Sequence, residues 1–195
     1  MSRHSRRRLL GLGLGLAGMF ALGCGDACSC EGPRPEPEAV TIYIVRHAEK
    51  QVPPDDADEA LRADPPLSKA GELRAMSLTE DIPVETIDAI YVTRTKRSEH
   101  TAAAVAALRG LEPIHYPPRD VEGLVERLRK RPGDSVLVVG HSNTIPELLA
   151  ALGLEAPPIA EDQYGDLWVV KLRESGASVE LQRFGGSAEP FDPGI

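Results

Sequence analysis

Short apolar runs rich in β-branched residues alternate with longer helix-like segments along the chain, and this alternation is the strongest constraint on its fold. Residues 40–45, 87–92 and 135–139 are strand-forming runs, and segments with helical caps lie between and after them. Strands that are separated by helices usually pair in parallel, with helices covering both faces of the sheet. The sequence therefore predicts a three-layer α/β/α domain with a mainly parallel sheet.

Cap and turn residues give the boundaries of the first two predicted helices. Ser68 is placed to cap a helix that continues to about Glu80. A second helix is expected from about Thr95 to Leu108, with Gly110 just beyond its end.

The second half of the domain continues the same pattern. We expect a short strand at 113–116, a helix at 121–131 and a further helix ending at Leu152, before Gly153. In this last helix, Thr144-Ile-Pro-Glu147 matches a capping box. Residues 167–172 and 178–183 alternate about a turn and predict a C-terminal β-hairpin.

The N-terminal region differs in composition from the rest of the chain. Residues 1–8 carry four arginines and no acidic residue, and residues 9–23 form an apolar run that contains five glycines. As a helix this run would be about 22 Å long, at about 1.5 Å per residue, which is shorter than a hydrocarbon core of about 30 Å. We therefore predict that residues 1–23 are an export signal.

Two short patterns refine this prediction. Residues 5–10 resemble a twin-arginine signal, and Ala21-Leu-Gly-Cys24 resembles the lipobox of bacterial lipoproteins. The second pattern predicts cleavage before Cys24, a lipid anchor on that cysteine and attachment to a membrane facing the periplasm or cell exterior. A secreted protein without an anchor is the alternative. The proline-rich residues 24–38 predict an extended linker, which leaves 39–195 as the folded domain.

Charge and cysteine content exclude several functions for this domain. Removal of residues 1–23 would change the formal net charge from −8 to −12, which argues against a nucleic-acid partner. The three cysteines are Cys24, Cys28 and Cys30, so residues 39–195 contain none. A cysteine nucleophile, a zinc–thiolate site and a disulfide are thereby excluded in the domain.

Polar side chains follow three of the predicted strands. Arg46 and His47 follow the first strand, Arg97 lies in the first turn of the helix after the second, and His141 follows a later strand. Because the carboxyl ends of parallel strands meet at one edge of the sheet, we expect these four side chains to converge.

Such a cluster suits a phosphoryl group. Two guanidinium groups match phosphate oxygens, and a neutral imidazole is a competent nucleophile toward phosphorus. Water would then release phosphate from a phosphohistidine. A metal ion is not expected, because the arginines would repel it, and no cofactor is expected. For His100 and His115 we expect packing or surface roles.

Four segments of the domain resemble the histidine phosphatase superfamily. They match its nucleophile motif, the segment after its first loop, its second-arginine motif and its second-histidine motif. In chain order they are Val45-Arg-His-Ala-Glu49, Asp64-Pro-Pro-Leu-Ser-Lys-Ala-Gly71, Tyr91-Val-Thr-Arg-Thr-Lys-Arg-Ser-Glu-His-Thr-Ala102 and Val139-Gly-His-Ser-Asn-Thr144. Ser142 stands where the acid phosphatases of this superfamily have an aspartate, so the resemblance is to the phosphoglycerate mutase and small phosphohistidine phosphatase branch.

The resemblance implies that His47 is the phosphorylated nucleophile and that Arg46, Arg97 and His141 bind phosphate. The proton donor is less evident. Asp120 is the best-placed acid, although a helix N-cap is the favoured reading of that residue.

Glu49 and Glu122 are weaker candidates for the proton donor. The compact domain favours hydrolysis over transfer. We therefore expect an exported phosphomonoester hydrolase acting on a small phosphorylated substrate or a phosphoprotein. The alternative is a catalytically weak phospholigand-binding module. The acidic segment 51–66 is expected to be a solvated loop or a lid over the site.

Overall fold

A computed structural model describes residues 38–155 and 157–186 of the chain. The predicted export signal, the lipidation site at Cys24 and all but the last residue of the predicted linker lie outside the described residues. Those assignments stay predictions. Within the two described ranges, no helix has both the length and the apolar character that are needed to cross a membrane.

The described residues form a six-stranded sheet. The strands are β1 (Val40–Arg46), β2 (Ile87–Val92), β3 (Ile114–His115), β4 (Ser135–Gly140), β5 (Asp166–Arg173) and β6 (Gly176–Arg183). Their order across the sheet is β3-β2-β4-β1-β5-β6. The first four are parallel, whereas β5 is antiparallel to β1 and pairs with β6 as a hairpin. The predicted mainly parallel sheet with a C-terminal hairpin is confirmed.

Helices cover both faces of this sheet. In the described ranges they are α1 (Glu59–Ala63), α2 (Lys69–Asp81), α3 (Lys96–Arg109), α4 (Val121–Arg129) and α5 (Thr144–Ala151). Residues of α2 and α3 share one core with the sheet, and residues of α4 and α5 share the other. The predicted three-layer arrangement is therefore confirmed.

Strand β1 shows why its sequence is an unbroken apolar run. Ile42 and Ile44 belong to the core beneath α4 and α5, whereas Tyr43 and Val45 belong to the core beneath α2 and α3. A central strand with helices on both faces buries every side chain, so the apolar run does not alternate with polar residues.

The predicted helix boundaries are close to those observed for α2 and α3. The Ser68 side chain accepts a hydrogen bond from the backbone N–H of Gly71, and Thr95 caps α3 in the same way. At the end of α3, Gly110 has a φ of 62°, a left-handed conformation that glycine adopts without steric cost.

The capping box predicted for α5 is wrong. Asn143 is the N-cap and makes no side-chain cap bond, and Thr144 is the first residue inside the helix. The Thr144 hydroxyl instead accepts a hydrogen bond of 3.0 Å from the backbone N–H of His141. The turn from β4 into α5 is so tight that this hydroxyl serves the residue after the strand rather than the helix end.

The acidic segment 51–66 is more ordered than its composition suggests. It contains the short helix α1, whose N-cap Asp58 accepts from the backbone N–H of Leu61 at 2.7 Å. Its two ends are held together, since the N–H of Gln51 donates to the carbonyl of Pro66 at 2.8 Å. The segment is therefore a closed loop with a fixed base.

The register of the sheet brings several chain segments to one edge. Arg46 pairs with Gly140, and Val92 pairs with Val139, so β1, β2 and β4 end at the same level. Leu167 near the start of β5 pairs with Val45 near the end of β1. Because β5 runs in the opposite direction, the loop that precedes it also arrives at this edge.

Candidate active site

A pocket of about 350 Å³ lies at this edge of the sheet. The structure brings the four residues singled out from the sequence together in its wall. The described residues that line it are Arg46, His47, Lys50, Thr95, Arg97, Pro118, His141, Ser142, Asn143, Thr144 and Glu161. Three strand ends and the loop before β5 contribute to this set, so the pocket is assembled by the fold from distant parts of the sequence.

His47 is buried, and its ring is held in one tautomer. Its Nδ1 lies 2.8 Å from the carbonyl oxygen of Ala48. A carbonyl can only accept a hydrogen bond, so Nδ1 carries the proton and Nε2 keeps its lone pair. The backbone N–H of Ala48 donates to the hydroxyl of Thr101 at 3.0 Å, and that hydroxyl donates to the carbonyl of Arg97 at 2.7 Å. This chain of contacts fixes the end of β1 against the first turns of α3.

The environment of His47 favours its neutral form. Burial is the main cause that lowers the pKa of His47 to about 3; the hydrogen bond to Ala48 opposes it, and the charges of His141, Arg97 and Arg46 lower it further. At neutral pH the Nε2 lone pair is therefore available.

His141 lies beside His47, with ring centroids 5.2 Å apart and ring planes at 64°. Its Nε2 is 2.8 Å from the hydroxyl of Thr93, and that hydroxyl donates its one hydrogen to the Ser98 hydroxyl at 2.8 Å. Burial, followed by the charges of Arg97 and Arg46, lowers the pKa of His141 to about 4. The site thus contains two neutral imidazoles between two guanidinium groups.

Arg46 is only 6% exposed and is clamped by the loop before β5. Its Nη1 donates to the carbonyls of Ala160 at 2.7 Å and Gln163 at 2.9 Å, and its Nη2 lies 3.4 Å from the hydroxyl of Tyr164. Its Cζ is 4.2 Å from the centroid of the Tyr164 ring. Its Nε is buried and has no hydrogen-bond partner among the described residues. A buried N–H left unpaired costs about 1–3 kcal/mol, so this guanidinium holds an unsatisfied donor.

Arg97 is held by the other loop at the rim of the pocket. Its Nη1 lies 3.4 Å from Oδ1 of Asp64, and both oxygens of this carboxylate accept from the backbone N–H of Lys96 at 3.1 Å. The acidic segment 51–66 therefore ends on the N-terminus of α3, beside one of the two arginines.

The carboxylates considered from the sequence are engaged outside the pocket lining. Asp120 caps α4, accepting from the N–H of Gly123 at 3.2 Å, and lies 3.5 Å from Nη2 of Arg127. Glu49 pairs with Arg74 at 2.8 Å. Glu122 lies in the first turn of α4, and it is not among the described lining residues.

Glu161 is the acidic residue among the described lining residues, and sequence reasoning missed it. No motif marks it. The available signal was topological: a strand antiparallel to β1 must start at the carboxyl edge of β1, so the loop before it reaches the site. Lys50, on the other side of the pocket, was missed as well.

The two remaining histidines of the domain are not among the described lining residues. His100 is exposed, and Nε2 of His115 lies 2.8 Å from Oε1 of Glu99. Within residues 38–155 and 157–186, no group of three histidine, cysteine, aspartate or glutamate residues is arranged to hold a metal ion.

The fold and the lining define an α/β protein with a pocket that holds two arginines, a lysine and two neutral imidazoles at the carboxyl edge of its sheet. Residues 42–119 match the family model described as the histidine phosphatase superfamily, branch 1. These are 78 of the 195 residues, and over them the chain resembles this superfamily.

One curated relative is a phosphatase. Phosphoserine phosphatase 1 of Hydrogenobacter thermophilus is 36% identical over 75 residues, which make up 38% of this chain. The match covers only 35% of the length of that relative. Phosphatase activity is thus supported at the level of the family.

Solved structures share the fold. The protein histidine phosphatase SixA, solved with tungstate, is 22% identical, with a TM-score of 0.55 over 74% of this chain and 97% of that one. Alpha-ribazole phosphatase from Shigella flexneri is 16% identical, with a TM-score of 0.55 over 73% and 96%. Phosphoglycerate mutase from Bacillus anthracis is 14% identical, with a TM-score of 0.59 over 77% and 94%.

Proposed function

We propose that this chain is a phosphomonoester hydrolase that works through a phosphohistidine intermediate on His47. The observation that carries the proposal is the state of that side chain. Its Nδ1 is committed to the carbonyl of Ala48, and the ring lines a pocket together with Arg46, Arg97 and His141. Nε2 is therefore a neutral nucleophile beside groups that bind a phosphoryl oxygen.

The first role of the site is to bind the phosphate group. The guanidinium groups of Arg46 and Arg97 line the pocket and supply N–H donors and positive charge. Lys50 adds a further positive charge to the lining. These groups attract a dianion even though the protein as a whole carries a net negative charge.

The second role is nucleophilic transfer. The Nε2 lone pair of His47 attacks phosphorus, the bond to the leaving oxygen breaks, and the two arginines stabilise the charge on the phosphoryl oxygens. Water then attacks the phosphohistidine, and inorganic phosphate leaves. The unphosphorylated ring of His47 is neutral, so positive charge is present on this ring only in the phosphohistidine.

The test uses 4-nitrophenyl phosphate and protein that begins at residue 39. Wild type should release phosphate, and an acid-labile, alkali-stable phosphoryl label should appear on the protein during turnover. His47→Ala should abolish both, by a factor of about 10⁴ or more. His100→Ala is the matched control, because this histidine is exposed and is not among the lining residues. Robust turnover by His47→Ala would refute the mechanism.

A second candidate function is a phospholigand-binding module with weak catalysis. It is favoured by the position of Asp120, the best-placed proton donor from the sequence. Asp120 caps α4 and is not among the described lining residues. Wild type that binds vanadate or phosphate but hydrolyses neither aryl nor alkyl phosphates would establish this function instead.

Phosphoserine is the first natural substrate to test, since the curated relative is named for it. We propose hydrolysis rather than mutase chemistry for this chain. When 3-phosphoglycerate is supplied, inorganic phosphate should form without the 2-phospho isomer. Formation of that isomer faster than phosphate release would make the protein a mutase.

We also propose that the protein is exported and anchored through Cys24. Support comes from the arginine-rich start, the short apolar run and the lipobox-like residues before the cysteine. Cells that express the full chain should incorporate labelled fatty acid into the protein and place it in the membrane fraction. Cys24→Ser should abolish the labelling, whereas Cys28→Ser should retain it. Unlabelled wild type in the culture medium would instead indicate a secreted, unanchored protein.

A further inference from the structure

We propose that Glu161 is the general acid and base of the reaction, protonating the leaving group and then activating water. The proposal rests on the hydrolase function proposed above. It assigns the proton donor to the loop before β5, rather than to the region of Asp120 that follows α3.

The chemical setting of Glu161 is unusual within this pocket. The other ionisable residues of the described lining are the histidines, Lys50 and the two arginines, so Glu161 is the single carboxylate in a cationic wall. A leaving alkoxide needs a proton, and the two neutral imidazoles are too weakly acidic to supply one. Beside the Lys50 ammonium, the carboxyl group of Glu161 is the remaining acid of the described lining.

The loop geometry places Glu161 beside the phosphate site. Ala160 and Gln163 accept hydrogen bonds from the same Nη1 atom of Arg46, at 2.7 Å and 2.9 Å. Glu161 follows Ala160 directly, so its backbone is fixed to the guanidinium that binds the phosphoryl group. Its side chain is exposed and belongs to the lining of the pocket.

The contrast with Asp120 supports this assignment. Asp120 accepts from the backbone N–H of Gly123 and also contacts Arg127, so both carboxylate oxygens already have partners. Glu161 has a solvent-exposed side chain that exchanges protons with water.

The proton balance of the cycle is complete with water as the co-reactant. In the first half, the bond from Nε2 of His47 to phosphorus forms, the ester P–O bond breaks, and the Glu161 carboxyl proton goes to the leaving oxygen, which departs as an alcohol. In the second half, the Glu161 carboxylate takes a proton from water, the water oxygen bonds to phosphorus, and the N–P bond breaks. Inorganic phosphate leaves, and both residues return to their starting states.

The test compares Glu161→Gln with wild type on three substrates in the domain that begins at residue 39. 4-Nitrophenyl phosphate has a leaving group that needs no proton, whereas glycerol 2-phosphate and phosphoserine have alkoxide leaving groups. The quantity measured is kcat/KM, which reports the steps up to formation of the phosphohistidine. Asp162→Asn is the matched control, because Asp162 is exposed, adjacent and not among the described lining residues.

We expect Glu161→Gln to lower kcat/KM by about 10²-fold or more on both alkyl phosphates and to leave the aryl value within about threefold of wild type. Asp162→Asn should match wild type on all three substrates.

Three results would overturn the inference. Equal losses on aryl and alkyl phosphates would give Glu161 a binding role, and a loss confined to phosphoserine would mean that it recognises the substrate ammonium. An unchanged kcat/KM on both alkyl phosphates would remove Glu161 from the chemistry. Failure of the proposed hydrolase function would give a different result, because wild type would then not turn over even 4-nitrophenyl phosphate.

Discussion

The two flanks of the pocket hold their arginines in different ways. Arg46 is clamped by neutral acceptors, the carbonyls of Ala160 and Gln163, whereas Arg97 faces the carboxylate of Asp64. A carbonyl orients a guanidinium and leaves its charge in place. A carboxylate orients the guanidinium and also offsets its charge. The Arg46 flank therefore keeps its full positive charge for a ligand, and on the Arg97 flank a substrate phosphate would compete with Asp64.

The largest expected effect comes from replacing each arginine by lysine. Lysine cannot donate to two carbonyls and also present a flat edge to phosphate, so Arg46→Lys should lower kcat/KM by about 10²–10³-fold. Arg97→Lys should cost only about tenfold, since the charge is kept and the Asp64 contact is a long one of 3.4 Å. Both values are measured with 4-nitrophenyl phosphate. Equal losses of kcat/KM in Arg46→Lys and Arg97→Lys would show that the two arginines do not differ in the charge they offer a ligand.

The next effect is on the stability of the fold in acid, because burial, and after it the charges of His141 and the two arginines, lowers the pKa of His47. The pKa of folded His47 is about 3, well below the usual 6.5, so the unfolded chain binds its proton first as the pH falls. The contribution of neutral His47 to the free energy of unfolding is complete above pH 6.5 and is lost progressively toward pH 3. At pH 4.5 the loss amounts to up to about 2–3 kcal/mol of unfolding free energy.

Urea denaturation at pH 7 and pH 4.5 measures this loss. His47→Asn should lose less stability than wild type over the same interval, because its side chain does not titrate. His100→Asn serves as the control and should behave as wild type. An equal loss in His47→Asn and wild type would show that carboxylates alone cause the acid sensitivity.

A smaller effect is expected from the aromatic part of the Arg46 flank. Tyr164→Ala removes the ring that lies 4.2 Å from the guanidinium carbon, and kcat/KM should fall by about fivefold to tenfold, mainly through KM. Tyr164→Phe keeps the ring and loses only the long hydroxyl contact, so it should retain more than about half of the activity. If the two variants fell equally, the hydroxyl rather than the ring would hold Arg46.

The smallest effect concerns the acidic loop. Asp64→Asn removes the competing charge beside Arg97, so inorganic phosphate should inhibit about twofold to fivefold more strongly, as expected for a partly exposed pair of about 0.5–1 kcal/mol. Asp56→Asn, an exposed acid of the same loop, is the control. Weaker inhibition in Asp64→Asn would mean that the carboxylate orients Arg97 instead of competing for it.

Much of the fold was predictable because each central strand is buried on both faces. The run at 40–45 has no polar alternation, and only a strand covered on both sides by helices explains that pattern. Arg46, His47 and His141 were predictable as a group for a related reason. Parallel strands end together, so residues that follow them must meet.

The rest of the site depends on partners that are distant in sequence. The clamp on Arg46 requires β5 to run antiparallel beside β1, a pairing that the hairpin pattern alone does not specify. The Thr144 hydroxyl could equally cap its helix or serve the N–H of His141, and only the tightness of the turn decides between them. Glu161 belongs to the same group, since its position follows from the direction of a strand.

The hydrogen bond from His47 to the carbonyl of Ala48 has a consequence for the identity of the covalent intermediate. With one nitrogen bound to the backbone of the next residue, the ring has no second orientation in which to accept a phosphoryl group. The intermediate should therefore be a single regioisomer, 3-phosphohistidine, and antibodies specific for 1-phosphohistidine should not detect it at any stage of turnover.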